Sequence, residues 1–546
     1  MKKKLNSVLQ DTFNALAITF PEIILELAKE ESFGDLATPV AMSLSKILKK
    51  PPRKIAEDII NSISEKNIFE KIEIAGPGFI NFTFSKAYLY SEIKALIKMG
   101  SSFLREDIGK NRRVQIEFVS ANPTGPLHLG HGRGAAFGSA LSNLLEAGGY
   151  DVECEYYIND AGRQVKLLGI SVFARYNQLS GRDYSFPEEG YKGGYVDDIA
   201  RAIIKNAGNK YSDCRFEDAE AFFIDFSYKM MLENIKKDLR DFGVAFNTWQ
   251  SERELYQKSE VEHSIDELRR KGYIYEQDGA IWFKATEFGD DKDRVVIKKD
   301  GEYTYFAPDI AYHRKKIEKK FDELIDIWGA DHHGYIPRIQ AVIQAFGYPK
   351  ESLRVLLVQM VSLLRGGKPV SMSKRAGEFV TLREVVDEVG ADTTKFIFLT
   401  RRSDSHLEFD LEVAKAQSAE NPVFYVQYAN ARINSIFSHA REQGIHIDKF
   451  EETDLGLLTT PEELRMIKKL LTYPMIFEGA VIAHEPHRIT FYLQELAGMF
   501  HPYYHKHKVV TDDINLTKAR LVLCEAVQIV LKDGLEILGL SAPAKM

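Results

Sequence analysis

Residues 123–136 read PTGPLHLGHGRGAA. VQIEFVS, a short apolar strand, runs into this stretch, and GHGRGAAFGSALSNLLEAGGY leaves it with the pattern of a helix ended by Gly148-Gly149. DVECEYYIND then reads as the next strand. Strand, glycine-rich turn, helix and strand make one β-α-β unit of a parallel sheet. A turn that leaves a strand and opens a helix presents unpaired backbone N–H groups and the positive end of the helix dipole, which is an anion site. Gly125, Gly130, Gly132 and Gly134 let a bulky group approach the backbone. His128 and His131, one turn apart, would face the same anion. Neither needs to be a nucleophile, because transfer at phosphorus mainly requires positioned donors. A zinc-binding or structural His-x-x-His pair is the competing reading, although no third ligand stands at a familiar spacing.

Outward from this unit, residues 1–108 read as a small α+β module. Helical patterns cover 5–30 and 52–66, and IFEKIEIAGPGFINFTFS alternates around a Gly76-Pro77-Gly78 hairpin turn. Residues 109–410 read as one Rossmann-type α/β domain, split by a largely helical insertion at about 166–290. The sheet signal is expected to resume at YTYFAPDIAYHRKK, then at ELIDIWGADHHGYIPR and LRVLLVQMVSLL. From 411 to 546 only helical periodicity is visible, which predicts an all-α bundle.

The whole chain agrees with several domains. Its 546 residues exceed a single core at roughly 100–200 residues per domain. With 45% hydrophobic and 28% charged residues, it has an ordinary globular composition. No run approaches the roughly 20 apolar residues of a membrane span. The basic start MKKKLNSVLQDTFNALAITF is interrupted by Asn6, Gln10, Asp11 and Asn14, so it reads as an amphipathic helix and not as a signal. Three scattered cysteines, Cys154, Cys214 and Cys524, predict a reducing, cytoplasmic setting. The net charge of −7 neither predicts nor excludes a nucleic-acid partner, since binding depends on local patches.

A second stretch, GGKPVSMSKRAG at 366–377, carries cations on small residues and could close on departing pyrophosphate, though a solvated basic turn is the commoner fate of a Lys-Arg pair. The order of the two stretches resembles class I aminoacyl-tRNA synthetases. His128-Leu129-Gly130-His131 matches their His-Ile-Gly-His signature. Ser371 to Arg375 matches Lys-Met-Ser-Lys-Ser with Met372, Ser373 and Lys374 kept and its two ends replaced. Over the whole chain the sequence is similar to arginyl-tRNA synthetases, in EFVSANPTGPLHLGH, YINDAG, YFAPDIAYHRKK, LVQMVSLLRGGKP, VQYANARI and LEILGLSAPAKM.

The resemblance implies an arginine–tRNA ligase that uses ATP with Mg²⁺ and takes L-arginine and tRNA(Arg). It would act as a monomer without a membrane and without a metal site of its own. His128, His131 and Lys374 would be catalytic. Pro126, Leu129, Gly130, Gly132, Met372 and Ser373 would line the ATP site. Glu117, Tyr305 and Asp309 would contact the guanidinium, Asn122 the backbone end of the substrate, and Asp331 either arginine or ATP. A planar, five-donor cation calls for carboxylates of this kind. Glu117 within its apolar strand also needs a cationic partner, which an arginine of the protein could supply instead. Asp309 could equally cap a helix. Phe79 and Asn81 match positions facing the tRNA elbow, and Tyr428 and Met546 match positions facing the anticodon, with core packing as the alternative for the aromatics. His501, His505 and His507 read as surface or RNA-facing residues.

A shorter adenylyltransferase shares the histidine turn but lacks the flanking modules, and a catalytically inactive arginine or RNA sensor would keep the fold without the chemistry. The enzyme reading predicts that His131→Ala slows amino-acid activation while tRNA binding survives. Equal loss of both would assign the residue to the fold.

Overall fold

The computed structural model describes residues 1–19, 23–28, 30–370 and 380–546. These form two compact units, one of Met1–Glu106, Phe424–Glu536 and Ser541–Met546, the other of Asp107–Val423 and Ile537–Leu540. Among the described residues no helix is long and apolar enough to cross a membrane.

The second unit is built on a five-stranded sheet in the spatial order Leu353–Val358, Glu323–Gly329, Arg113–Glu117, Asp151–Ile158, Thr248–Ser251. Every neighbouring pair is parallel. The chain moves from Arg113–Glu117 outward on one side and later returns through Glu323–Gly329 on the other. The switch point therefore lies between those two strands, where the crevice at their carboxyl ends is the expected ligand site. The register sets Glu117 directly beside Glu155 on one neighbour and beside Asp326 on the other.

Three expectations are corrected here. The stretch 306–318 is the helix Phe306–Glu318, not a strand, because Phe306, Ala307, Ile310, Ala311 and Ile317 bury one helical face. The insertion is helical through Arg163–Leu179, Gly194–Ala207 and Phe216–Asp241, but Thr248–Ser251 then rejoins the main sheet at its edge. Beyond it Ile274–Gln277, Ala280–Phe283 and Arg294–Ile297 form an antiparallel sheet. Its first hairpin turns on Asp278 and Gly279, both at positive φ (53° and 75°), the Asp-Gly turn that matches strand twist. Finally, 353–364 is two strands in two sheets. The chain breaks at Gln359-Met360, and Val361–Arg365 pairs with Leu407–Asp410 instead.

In the first unit the opening helix is Lys2–Ala15, shorter than expected. It buries Leu5, Val8, Leu9 and Phe13 and ends where Ala17 takes φ 52°. A further helix, Val40–Leu48, escaped the periodicity reading. The Gly76-Pro77-Gly78 hairpin joins Phe69–Ala75 to Phe79–Phe84 as read. The bundle helices are Pro422–Glu442, Pro461–Ala483, His487–Lys506 and Ile514–Ile537. Within this unit the two ends of the chain meet directly, with Tyr90 donating to the Leu458 carbonyl at 2.7 Å and Arg105 paired with Asp533 at 2.8 Å.

The helix Leu129–Ala147 carries a buried Arg133 whose guanidinium donates to the carbonyls of Gln359, Arg402 and Ser405, each at 2.8 Å. Burial pulls its pKa down to about 10. Three backbone carbonyls from separate loop positions accept from this one buried side chain. Arg133→Met is therefore expected to destabilise the chain by about 2–4 kcal/mol, read as a lowered thermal midpoint. An unchanged midpoint would mean that water replaces the guanidinium.

Candidate active site

His128 is the N-cap of the helix Leu129–Ala147. Its Nδ1 accepts the backbone N–H of Gly130 at 3.1 Å and of His131 at 3.4 Å. His131 returns the contact, its Nδ1 accepting the N–H of His128 at 3.4 Å. This is a capping box made of imidazoles. The two rings stack, with centroids 3.7 Å apart and planes 18° from parallel. With both Nδ1 atoms accepting, each neutral ring carries its proton on Nε2, which makes each a donor beside the helix N-terminus. Gly130 is required by the rings themselves, since a Cβ there would lie 2.9 Å from His128 Cε1. The turn is held from outside by Leu382, whose N–H donates to the Leu127 carbonyl at 2.7 Å, and by a bridge between His128 and Thr381. These two residues follow closely on the segment carrying Met372, Ser373 and Lys374, which lies outside the described residues.

Two cavities meet at this turn. The larger, about 1180 Å³, is lined by Asn122, Pro126, His128, Leu129, Gly130, His131, Gln164, Lys192 and Tyr195 among others. Tyr195 reaches over from the helical insertion and donates to the Thr124 carbonyl at 2.8 Å. The second, about 470 Å³, shares Asn122, His128, Gly130, His131 and Met360 and adds Glu117, Tyr157, Asp309, Tyr312, Trp328, Asp331 and Tyr335. It sits at the switch point between Arg113–Glu117 and Glu323–Gly329.

Glu117 does have a cationic partner, and it is a lysine. The Lys316 ammonium contacts Glu117 Oε2 and lies 2.6 Å from Asp326 Oδ1. Tyr312 donates to Glu117 at 3.0 Å and to Glu155 at 2.6 Å. Ser120 donates to Glu117 Oε1 at 2.8 Å. Asp309 lies in the first turn of the helix Phe306–Glu318 and is not its N-cap, which is Tyr305. Its Oδ2 takes the Tyr335 hydroxyl. Burial pushes the Asp309 carboxyl up to about 6, and the same cause lifts Glu252, hydrogen-bonded to Tyr157 at 2.9 Å, to about 7. Of the two, Asp309 lines the smaller cavity, and a lifted carboxyl there suits a cationic ligand, which stabilises its charged form.

Other assigned residues fare unequally. Asn122 lies between the cavities and donates to Gln164 at 2.7 Å. Asp331 lines the smaller cavity from the turn after Glu323–Gly329. Tyr305 is one turn from Asp309 but 64% exposed and is not among the cavity lining. Gly132 is not among the residues lining either cavity, and a Cβ there would meet Leu382 at 2.6 Å and Phe398 at 3.2 Å. In the other unit Phe79 is half-buried and Asn81 is only 8% exposed, both on the strand Phe79–Phe84. Tyr428 stacks on Phe424, centroids 5.5 Å apart, under the Arg432 guanidinium at 4.5 Å. Met546 is 52% exposed. His501 is not a surface residue, for its ring is buried and bonded to the Tyr425 carbonyl at 2.9 Å. Sequence reasoning missed Lys316, Tyr312, His313 and Tyr157. Their helical spacing and strand positions gave no sign that they would converge.

A parallel sheet with a paired-imidazole helix cap at its switch point is the architecture of a class I aminoacyl-tRNA synthetase. Residues 92–438 match the family model described as tRNA synthetases class I (R), catalytic domain. Residues 1–84 match the arginyl tRNA synthetase N terminal domain and 426–546 the DALR anticodon binding domain. The arginine–tRNA ligase of Citrifermentans bemidjiense is 51% identical over 96% of this chain and 95% of its own. That of Geobacillus kaustophilus is 47% identical over 100% and 98%. The chain belongs to the arginyl-tRNA synthetase family. A solved structure from Campylobacter jejuni, 36% identical, superposes with TM-score 0.78 over 85% of this chain and 100% of its own. The arginyl-tRNA synthetase of Thermus thermophilus, 20% identical, shares the fold with TM-score 0.77 over the full length of both chains.

A cation that binds ionised Asp309 must displace its proton below pH about 6. The thermal shift produced by arginine is therefore expected to shrink as pH falls from 7.5 through about 6, and to lose that dependence in Asp309→Asn. A shift constant across that window in the parent chain would place the guanidinium elsewhere.

Proposed function

We propose that the smaller cavity holds arginine and that the histidine turn holds the phosphates of ATP, within an arginine–tRNA ligase. The chain activates L-arginine with ATP to arginyl-adenylate and transfers the arginyl group to the 3′ end of tRNA(Arg), releasing AMP and pyrophosphate. One observation carries the division of the site: the carboxylates of Glu117 and Asp309 line the same cavity as the stacked imidazoles.

The substrate carboxylate forms a bond to the α-phosphorus as the bond to the pyrophosphate oxygen breaks, and pyrophosphate leaves with the electron pair. The Nε2 donors of His128 and His131 stabilise the charge that develops there. Pro126, Leu129 and Gly130 line the nucleotide side, and the family signature alone assigns Met372 and Ser373 to ATP and Lys374 to the pyrophosphate. Arg375 stands where the family has serine, and Ser371 where it has the first lysine. Gly132 shapes the turn by packing. Asn122 holds the backbone end of arginine, Asp309 and Glu117 the guanidinium end, with Tyr305 and Asp331 at the rim. A terminal ribose 2′-hydroxyl then attacks the arginyl carbonyl and AMP departs.

Among the described residues no three His, Cys, Asp or Glu side chains form a metal-holding group. Mg²⁺ bound to the phosphates of ATP would offset their charge.

Residues 1–108, through Phe79 and Asn81, contact the tRNA elbow, and 411–546, through Tyr428 and Met546, meet the anticodon. Tyr428 suits stacking on an unpaired base. Asn430 holds the Pro543 carbonyl at 2.8 Å, which keeps the tail bearing Met546 beside the Tyr428 helix. The protein acts as a cytoplasmic monomer. The inactive-sensor reading draws no support from a site whose described histidines and carboxylates are intact.

Amino-acid-dependent ATP–pyrophosphate exchange across all twenty amino acids, with and without tRNA, tests this reading. Exchange with arginine alone, appearing when tRNA is present, is the expected result. Exchange with another amino acid would remove the roles of Glu117 and Asp309, and its absence under every condition with ATP still bound would favour the sensor.

A further inference from the structure

Lys316 has no contact with the cavity, yet it grips a residue that lines it. Its side chain is 1% exposed. The ammonium sits between Glu117 Oε2 and Asp326 Oδ1, and His313 Nε2 holds the other oxygen of Asp326 at 3.2 Å. Glu117 is flanked in register by Glu155 and Asp326, so three buried carboxylates stand side by side on adjacent strands. Like charges set opposite one another repel, and a buried carboxylate without a cation is strongly disfavoured. Lys319 serves the Glu155 end at 2.8 Å. Lys316 serves the other two.

We propose that Lys316 is a positioning residue for amino-acid recognition: a resident cation that fixes the Glu117 carboxylate before any substrate arrives. Oε2 is turned into the protein, onto Lys316 and Tyr312, which leaves Oε1, beside Ser120, as the oxygen a ligand can meet. The arriving guanidinium therefore adds to a carboxylate that is already paired and oriented, and its own charge is answered chiefly by Asp309. The order of events matters for affinity. Without Lys316 the substrate would have to assemble Glu117 itself, at a cost in binding, against the repulsion of two neighbouring carboxylates.

This rests on the placement of Glu117 in the arginine pocket, and the test separates the two. The KM values for arginine and ATP and the kcat are measured in aminoacylation for Lys316→Met, Lys316→Arg and Glu117→Gln, with folding checked by thermal denaturation. Lys316→Met is expected to raise the arginine KM by about tenfold or more with the ATP KM unmoved, and Lys316→Arg, which keeps the charge, to lie nearer the parent. If Glu117→Gln leaves the arginine KM unchanged, the pocket assignment fails. If Glu117→Gln raises it and a folded Lys316→Met does not, or if Lys316→Met raises both KM values together, the present proposal is overturned alone. Should Lys316→Met not fold, the double variant Lys316→Met/Asp326→Leu removes the orphaned carboxylate. A raised arginine KM in that chain supports the proposal, and failure of both to fold assigns Lys316 to the core and overturns it.

Discussion

Three carboxylates in a row constrain this active site. Glu155, Glu117 and Asp326 occupy register-matched positions on adjacent parallel strands, all buried. A parallel sheet covered by helices ordinarily fills such positions with apolar side chains. Here the covering helix Phe306–Glu318 must bring compensation, and it does so from one face. Tyr312 bridges Glu117 and Glu155, Lys316 bridges Glu117 and Asp326, and Lys319, just past the helix, reaches Glu155. The spacing of four and three residues is that of one helical stripe. The same helix therefore cannot shift or rotate without exposing a buried charge, and it is the helix that presents Asp309 to the cavity. Burial drives the pKa of Lys316 down, but the fields of Asp326 and Glu117 outweigh it and raise it.

The histidine turn is the second fixed point, and its rigidity has a different origin. Each imidazole caps the other's backbone, the rings stack, and a glycine between them leaves room for the stack. Backbone strain sits just upstream, where Val119 and Ser120 take φ of 69° and 40°. Left-handed geometry is uncommon for any residue with a side chain and most unfavourable for a β-branched one. It turns the chain sharply between Glu117 and Asn122, so that both line one cavity, and Ser120 uses the bend to donate to Glu117 and to accept from the Tyr157 N–H at 3.1 Å.

Much of this was legible in the sequence. The turn, its helix and the flanking strands follow from glycines and apolar periodicity, and the demand that Glu117 find a cation follows from its place inside an apolar strand. The identity of that cation was not legible. Lys316 lies 199 residues away in sequence, and in KKIEKK nothing distinguishes it from solvated neighbours. Which of several lysines is buried depends on helix phase against the sheet, which the sequence does not show. For the same reason Gly132, one of four similar glycines, could not be separated from those that face the cavity, since only the packing of Leu382 decides it. Buried His501 shows the converse difficulty, since nothing in HPYYHKH tells which of its histidines the packing encloses.

A crystal structure with arginine bound tests the central claim most directly. The account predicts the guanidinium within hydrogen-bonding distance of Asp309 and of Glu117 Oε1, with the Lys316 ammonium still seated between Glu117 Oε2 and Asp326. Arginine bound away from Asp309, or a Lys316 side chain expelled by the substrate from its place on Glu117, would contradict it.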